Sequence, residues 1–163
     1  PTRGLMGYTS RFLTLTKGTG VINRIFHGYG KFEGEMDGRK NGALISMANG
    51  KAVAFAIFNL QARGEMFVTH NDPVYEGMIV GLAPKPGDMI INVMKGKQLT
   101  NMRTQGTDEN VVLTPVRQMS IAEQLSMLNT DEALEITPKS LRLRKAILNP
   151  TERKKNEKSG TPL

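Results

Sequence analysis

Glycine spacing constrains this chain more than any other feature. Seventeen glycines interrupt 163 residues, and most of them separate short runs rich in Val, Ile and Met. Runs of that length, bounded by turn residues, suit strands and tight turns and cannot supply the long apolar stripe of a helical bundle. The expected fold class is therefore α+β, dominated by antiparallel strands. A chain of this size can bury a core without covalent staples.

Local patterns place the elements. Leu5, Tyr8, Phe12 and Leu15 fall on one helical face, and Lys17-Gly18 ends it. Gly18-Thr-Gly20 follows this helix rather than opening one, so it reads as a helix stop and not a phosphate cradle. Val21 to Tyr29 alternates as a strand would. One helix and one strand cannot close a core, so this opening reads as the end of a domain, followed by a glycine-rich, charged linker over residues 30–42. Ala43 to Met47 and Lys51 to Ala54 flank Asn49-Gly50, a hairpin signal. Ala54 to Arg63 suits a short helix ending at Gly64. Glu65–Thr69, Met78–Leu82, Met89–Met94 and Val111–Thr114 are strand candidates, with turns at Asn71-Asp72-Pro73 and Pro84-Lys85-Pro86-Gly87. Met47, Met66, Met78, Met89 and Met94 are expected to fill the core. Ser120-Ile-Ala-Glu123 is a capping box opening a helix. Glu135-Ile136 and Ser140–Arg144 form two last strands joined at Thr137-Pro138-Lys139. Asn149-Pro150 caps a brief helix into a polar tail.

Several chemistries are set aside by composition. There is no cysteine, which excludes disulfides and thiolate metal sites. His27 and His70 lack a ligand-spaced partner, so each is given a structural or surface role. No apolar run approaches the roughly 18 residues of a membrane span, and no secretory signal pattern is present. The chain is expected to be soluble and intracellular. Asp131, Glu132 and Glu135 lack an accompanying nucleophile and read as a solvated turn rather than a catalytic acid pair.

The charge is +7, and it is local: Lys139 to Lys158 holds eight cations against Glu152 and Glu157, whereas residues 1–138 hold 14 cations and 13 carboxylates. A polyanion would meet the C-terminal end first. A second basic stretch runs from Lys95 to Gly106, with three cations (Lys95, Lys97, Arg103) and no carboxylate. Gln98, Thr100, Asn101, Thr104 and Gln105 add donors and acceptors, and Gly96 and Gly106 flank it. The stretch has neither helical nor strand periodicity. Loops of this length inside compact domains are functional or disordered, and cations beside amides and hydroxyls suit the phosphate and sugar oxygens of nucleic acid. The loop is expected to touch RNA. The bland alternatives are a solvated hairpin tip at Lys95 and Lys97 and a salt bridge from Arg103 to Asp108 or Glu109.

Longer motifs carry a family resemblance. Residues 7–20, Gly-Tyr-Thr-Ser-Arg-Phe-Leu-Thr-Leu-Thr-Lys-Gly-Thr-Gly, resemble the second helix and following turn of the last ferredoxin-like domain of elongation factor G-type translational GTPases. Gly38-Arg-Lys-Asn-Gly-Ala-Leu-Ile-Ser46, Phe58-Asn-Leu-Gln-Ala-Arg-Gly64, Val74-Tyr-Glu-Gly-Met-Ile-Val-Gly81, Lys97-Gln-Leu-Thr-Asn-Met-Arg103 and Thr137-Pro-Lys-Ser-Leu-Arg-Leu-Arg-Lys145 resemble the C-terminal region of the BipA/TypA family. The resemblance runs from residue 1 to about 153.

The resemblance implies a cytoplasmic, ribosome-associated GTPase linked to stress adaptation and ribosome assembly. Its nucleotide and magnesium would be held by an N-terminal domain. This chain has neither a Gly-x-x-x-x-Gly-Lys-[Ser/Thr] loop nor an Asn-Lys-x-Asp motif, so no cofactor and no enzymatic activity are expected of it. The family's long C-terminal loop, here roughly Lys95 to Val111, implies contact with large-subunit rRNA near the A site and with A-site tRNA. Lys95, Lys97 and Arg103 would meet phosphates, and Thr100 and Asn101 ribose hydroxyls, with Gln98 beside them. Lys139, Arg142, Arg144 and Lys145 would extend the patch from a strand. The loop holds no aromatic residue, so shape and backbone recognition is expected rather than base stacking.

The expected organisation is the trailing half of a ferredoxin-like domain over 1–37, a β-rich domain with two short helices over 38–150, and a basic flexible tail over 151–163. The strand at Val21–Tyr29, lacking sheet partners, is expected to pair with the β domain or with another copy. The rival function is a protein-interaction module whose basic tail docks acidic partners.

Overall fold

The computed structural model describes residues 2–5, 7–32, 34, 39–96 and 112–159. The fold is α+β. A 3-10 turn (Thr2–Leu5) precedes helix α1 (Tyr8–Leu15). Then come β1 (Ala43–Ser46), β2 (Gly50–Lys51), α2 (Ala54–Gln61), β3 (Glu65–Met66), β4 (Pro73–Val74), β5 (Met78–Leu82) and β6 (Met89–Ile91). Helix α3 (Ile121–Ser126), strands β7 (Glu132–Ile136) and β8 (Leu141–Lys145) and helix α4 (Pro150–Ser159) complete the order.

The main sheet runs β6-β1-β5-β8-β7, and β3 also pairs with β5. All its ladders are antiparallel except β1–β6. Strand β5 is the axis. One edge pairs with β1, and the other is shared end to end by β8 at Met78 and Ile79 and by β3 at Gly81 and Leu82. Alternate residues face opposite sides, so both faces of the sheet are apolar. Leu44, Val80 and Ile91 join Ile57 of α2 with Val68, Val74 and Val93 on one side. Ala43, Ile45, Ile79 and Leu143 meet Leu128 and Met119 on the other.

Several expected elements form for the reasons the sequence suggests. Ser120 accepts from the Glu123 backbone and Glu123 accepts from the Ser120 backbone, so the capping box is complete. The amide of Gly18 reaches the Leu13 carbonyl at 2.7 Å, closing α1 as a helix stop. His70 has a structural role: its Nδ1 accepts from the first amide of α2 at 3.2 Å.

Other expectations are corrected. Asn49-Gly50 does not turn a hairpin. Strand β1 has both edges occupied, by β5 and β6, so β2 pairs instead with β4, inside the expected turn at Pro73. Asn49 Oδ1 accepts from the Glu76 amide at 2.8 Å. Residues 112–114 are not a strand, because the Gln61 side chain takes the place of a ladder, donating to the Thr114 carbonyl and accepting its amide. Residues 21–32 form no strand either. Val21, Ile25, Phe26, Tyr29 and Phe32 are exposed, and among the described residues no strand pairs with the segment, so it has no ladder to make it a strand. It pairs with no strand of the β domain among the described residues. Met66 and Met78 are core, whereas Met47 and Met89 are exposed. The helix expected to start at Asn149-Pro150 forms and runs to Ser159.

Gly64 lets α2 return onto the sheet, since a Cβ there would overlap the Leu82 carbonyl. Gly64→Ala is expected to lower stability by about 1–3 kcal/mol in urea unfolding, as overpacking does. Gly96→Ala, where a Cβ meets open space, is expected to stay within about 0.5 kcal/mol.

Candidate nucleic-acid interface

Strand parity decides which C-terminal cations can meet a ligand. Leu141, Leu143 and Lys145 share one face of β8, and Arg142 and Arg144 share the other. Leu143 is buried, so Lys145 follows it inward and is only 1% exposed. Its ammonium contacts Asp88 Oδ2 at 2.5 Å, Asp131 Oδ2 at 2.6 Å and Glu132 Oε1 at 2.9 Å. Arg39 completes the cluster with two bonds to the Glu132 carboxylate, at 2.7 and 2.5 Å, and a third to the Met127 carbonyl. Lys145 therefore does not belong to an outward patch with Arg142 and Arg144. Glu132 is no solvated turn residue, for its side chain is fully buried.

The cluster holds its charges firmly. Burial opposes the charged form of Glu132, but hydrogen bonds from Arg39 and Lys145 outweigh it and keep the carboxyl below its ordinary range. Burial likewise opposes ionisation of Asp88, and bonds from Lys145 and the Ala43 amide pull it down. Burial disfavours the Lys145 ammonium, yet its bonds to Asp131, Asp88 and Glu132 raise it above the usual lysine value.

The outward side chains differ in availability. Lys139 is exposed at the β7–β8 turn, which Thr137 and Ser140 lock through a 2.9 Å backbone bond and mutual hydroxyl contacts. Arg142 lies opposite Glu135 in the β7–β8 register and pairs with it at 3.6 Å. That carboxylate also accepts from the Tyr75 hydroxyl at 2.5 Å. Burial, with Glu135 beside it, pushes the phenol up to about 12, so it stays a donor. Arg144 Nη1 donates to the carbonyls of Lys145 and Ala146, fixing its stem along the strand. Lys139 and Arg142 border a cavity of about 800 Å³ between the hairpin, α3 and β5. Lys95 is exposed just beyond β6. Lys97, Gln98, Thr100, Asn101 and Arg103, with their alternative partners Asp108 and Glu109, lie outside the described residues.

The structure thus gathers Lys139, Arg142 and Arg144 on one hairpin, removes Lys145 from it, and adds Arg39, Asp88, Asp131 and Glu132 as an internal counterpart that sequence reasoning missed. The signal for Lys145 was present: Leu141-x-Leu143-x-Lys145 is a period of two. Arg39 and Asp88 carried no comparable signal. Among the described residues no group of three or more His, Cys, Asp or Glu could hold a metal ion, and no helix is long and apolar enough to cross a membrane.

Residues 41–150 match the family model for the TypA/BipA C-terminal domain. The chain is 47% identical over 162 residues to the large ribosomal subunit assembly factor BipA of Buchnera aphidicola subsp. Schizaphis graminum, covering 99% of this chain and 27% of that protein. It is 46% identical over 156 residues to the protein of that name from Salmonella typhimurium, covering 95% of this chain and 26% of the relative. The Bacillus subtilis protein of that name is 46% identical over 159 residues, covering 97% of this chain and 26% of the relative. The chain spans about a quarter of the length of these relatives.

The ion cluster gives stability a pH window. Asp88 and Glu132 contribute above their unfolded values near ~4, and that contribution is lost as pH falls through their lowered folded values. Lys145 contributes below ~10.4, and its share is lost as pH rises through its raised folded value. A plateau from about pH 5 to 10 is expected, with losses on both sides. Lys145→Met at pH 7 should cost about 3–5 kcal/mol in urea unfolding, because it removes a buried cation from the fully buried Glu132 carboxylate and leaves that carboxylate with Arg39 as its cation partner. A cost under about 1 kcal/mol would contradict this.

Proposed function

Because the chain belongs to the TypA/BipA family, with the family's C-terminal domain over residues 41–150, we propose that it is the ribosome-binding portion of a large-subunit assembly factor. The observation that carries the reading is 46–47% identity, through nearly the whole of this chain, to proteins named for large ribosomal subunit assembly. On this reading it contacts large-subunit rRNA near the A site, and A-site tRNA, through the Lys95–Val111 loop, in stress-related translation or ribosome assembly. GTP binding and hydrolysis belong to the rest of the longer protein, so this portion is not itself the enzyme.

Surface chemistry supports an RNA partner. Lys95 and Lys139 are exposed, and Arg142 and Arg144 are half-buried on the face of β8 opposite Leu143. Arg142 is held by Glu135 and Arg144 by the carbonyls of Lys145 and Ala146, which lowers the entropy lost on meeting phosphate. Lys97 and Arg103 add charge in the loop. The protein-interaction rival places the same cations against acidic partners and predicts binding that survives nuclease treatment.

Binding to isolated large subunits across a salt series, wild type beside Lys97→Ala/Arg103→Ala, tests the proposal. Contact with about four phosphates gives a slope of log K against log salt near −3 to −4, and the double variant is expected to lose about two contacts of that slope. Equal binding by both proteins would remove the loop from the interface.

A further inference from the structure

We propose that helix α4 carries a second RNA contact, a lysine stripe that grips phosphodiester backbone at the β6 edge of the sheet. It rests on the RNA reading above only for the identity of the polyanion.

The stripe follows from helical spacing. With 3.6 residues per turn, Thr151, Lys154, Lys155 and Lys158 lie within about 100° of one another around the helix. Glu152 and Glu157 fall outside that arc. Together with Pro150 and Ile90 of β6, the four residues line a groove of about 410 Å³ that contains no carboxylate. Strand β6 pairs with β1 on one side, and among the described residues its other edge has no strand.

The helix is fixed at its root rather than trailing. Asn149 Oδ1 accepts from the amides of Thr151 and Glu152, at 2.8 and 3.3 Å. Arg153 Nη1 turns back to the carbonyls of Ile147 and Leu148, at 2.9 and 2.6 Å. Arg153 is thus an anchor, and the lysines are the outward charge. No residue of α4 is buried, so the stripe has no role in the core.

Phosphate is the chemistry these residues fit. Lys154 and Lys158 are one turn apart, about 6 Å along the axis, which is comparable to the separation of successive phosphates on one strand. Ammonium groups bind phosphate as point charges. Protein interfaces depend on buried aromatic or large apolar anchors; this groove offers Ile90 alone. With no aromatic in the groove, base stacking is not available, and recognition is by backbone.

The test uses the 163-residue chain and a fluorescently labelled RNA hairpin of about 16 base pairs, followed by anisotropy across a salt series. Lys154→Gln/Lys155→Gln/Lys158→Gln is expected to reduce the slope of log K against log salt by about 2 to 3. Helix content by circular dichroism should be unchanged, since Gln and Lys have similar helix propensity. The three Lys→Arg changes should restore binding. An unchanged slope in the Gln variant overturns the inference. So does displacement of the RNA by poly-glutamate at equal charge, which would assign the stripe to an acidic protein. Lys97→Ala/Arg103→Ala, run in parallel, separates the two readings. Loss only in the loop variant refutes the α4 contact and leaves the proposed function standing, whereas loss only in the α4 variant does the reverse for the loop.

Discussion

The structure depends on the buried charge of Lys145. This ammonium, at the end of β8, meets Asp131 and Glu132 at the start of β7 and Asp88 just before β6. Asp88 in turn accepts from the Ala43 amide at the start of β1, at 2.7 Å. Arg39, on the approach to β1, closes on Glu132 and on the Met127 carbonyl after α3. One cluster thereby ties together the ends of four strands of a five-strand path, together with the exit of α3. Two cations face three carboxylates, and each carboxylate contacts at least one of them. Such a cluster defines register more sharply than apolar contacts do, because slipping β8 by one residue would put Lys145 on the other face and take its ammonium away from Asp88, Asp131 and Glu132.

Local chemistry was legible where one short stretch decides an element. Ser120 and Glu123 announced α3, and Thr137 to Ser140 announced the last hairpin. Asn149 announced the start of α4 but not its length. What stayed hidden needed knowledge of neighbours. Asn49-Gly50 has the composition of a hairpin turn, yet β1 is an interior strand whose two edges are claimed by segments more than 30 residues away in sequence. Val21–Tyr29 alternates without a ladder to join among the described residues. The candidate cations divide likewise: the placement of Lys139, Arg142 and Arg144 on one hairpin was legible from the turn and strand pattern, whereas the inward turn of Lys145 is a matter of parity that charge counting overlooks.

Separating inward from outward cations changes the picture of the basic C-terminal end. Part of the excess charge between Lys139 and Lys158 is internal, at Lys145, or structural, at Arg153. What remains outside is distributed at two places: the β7–β8 hairpin, and the α4 stripe above β6, at the opposite edge of the sheet. On the proposed reading, cations at both edges of one sheet suit a large structured RNA better than a short acidic peptide. Two modest electrostatic contacts at fixed separation reinforce each other when both can engage one surface.

The most direct measurement is hydroxyl-radical footprinting of large ribosomal subunits with and without the chain, at low and high salt, because it reads protection of the sugar-phosphate backbone itself. Discrete protected stretches of rRNA that vanish at high salt are the predicted result. Unchanged rRNA cleavage while the chain still co-sediments with the subunits would contradict it, moving the contact to ribosomal protein.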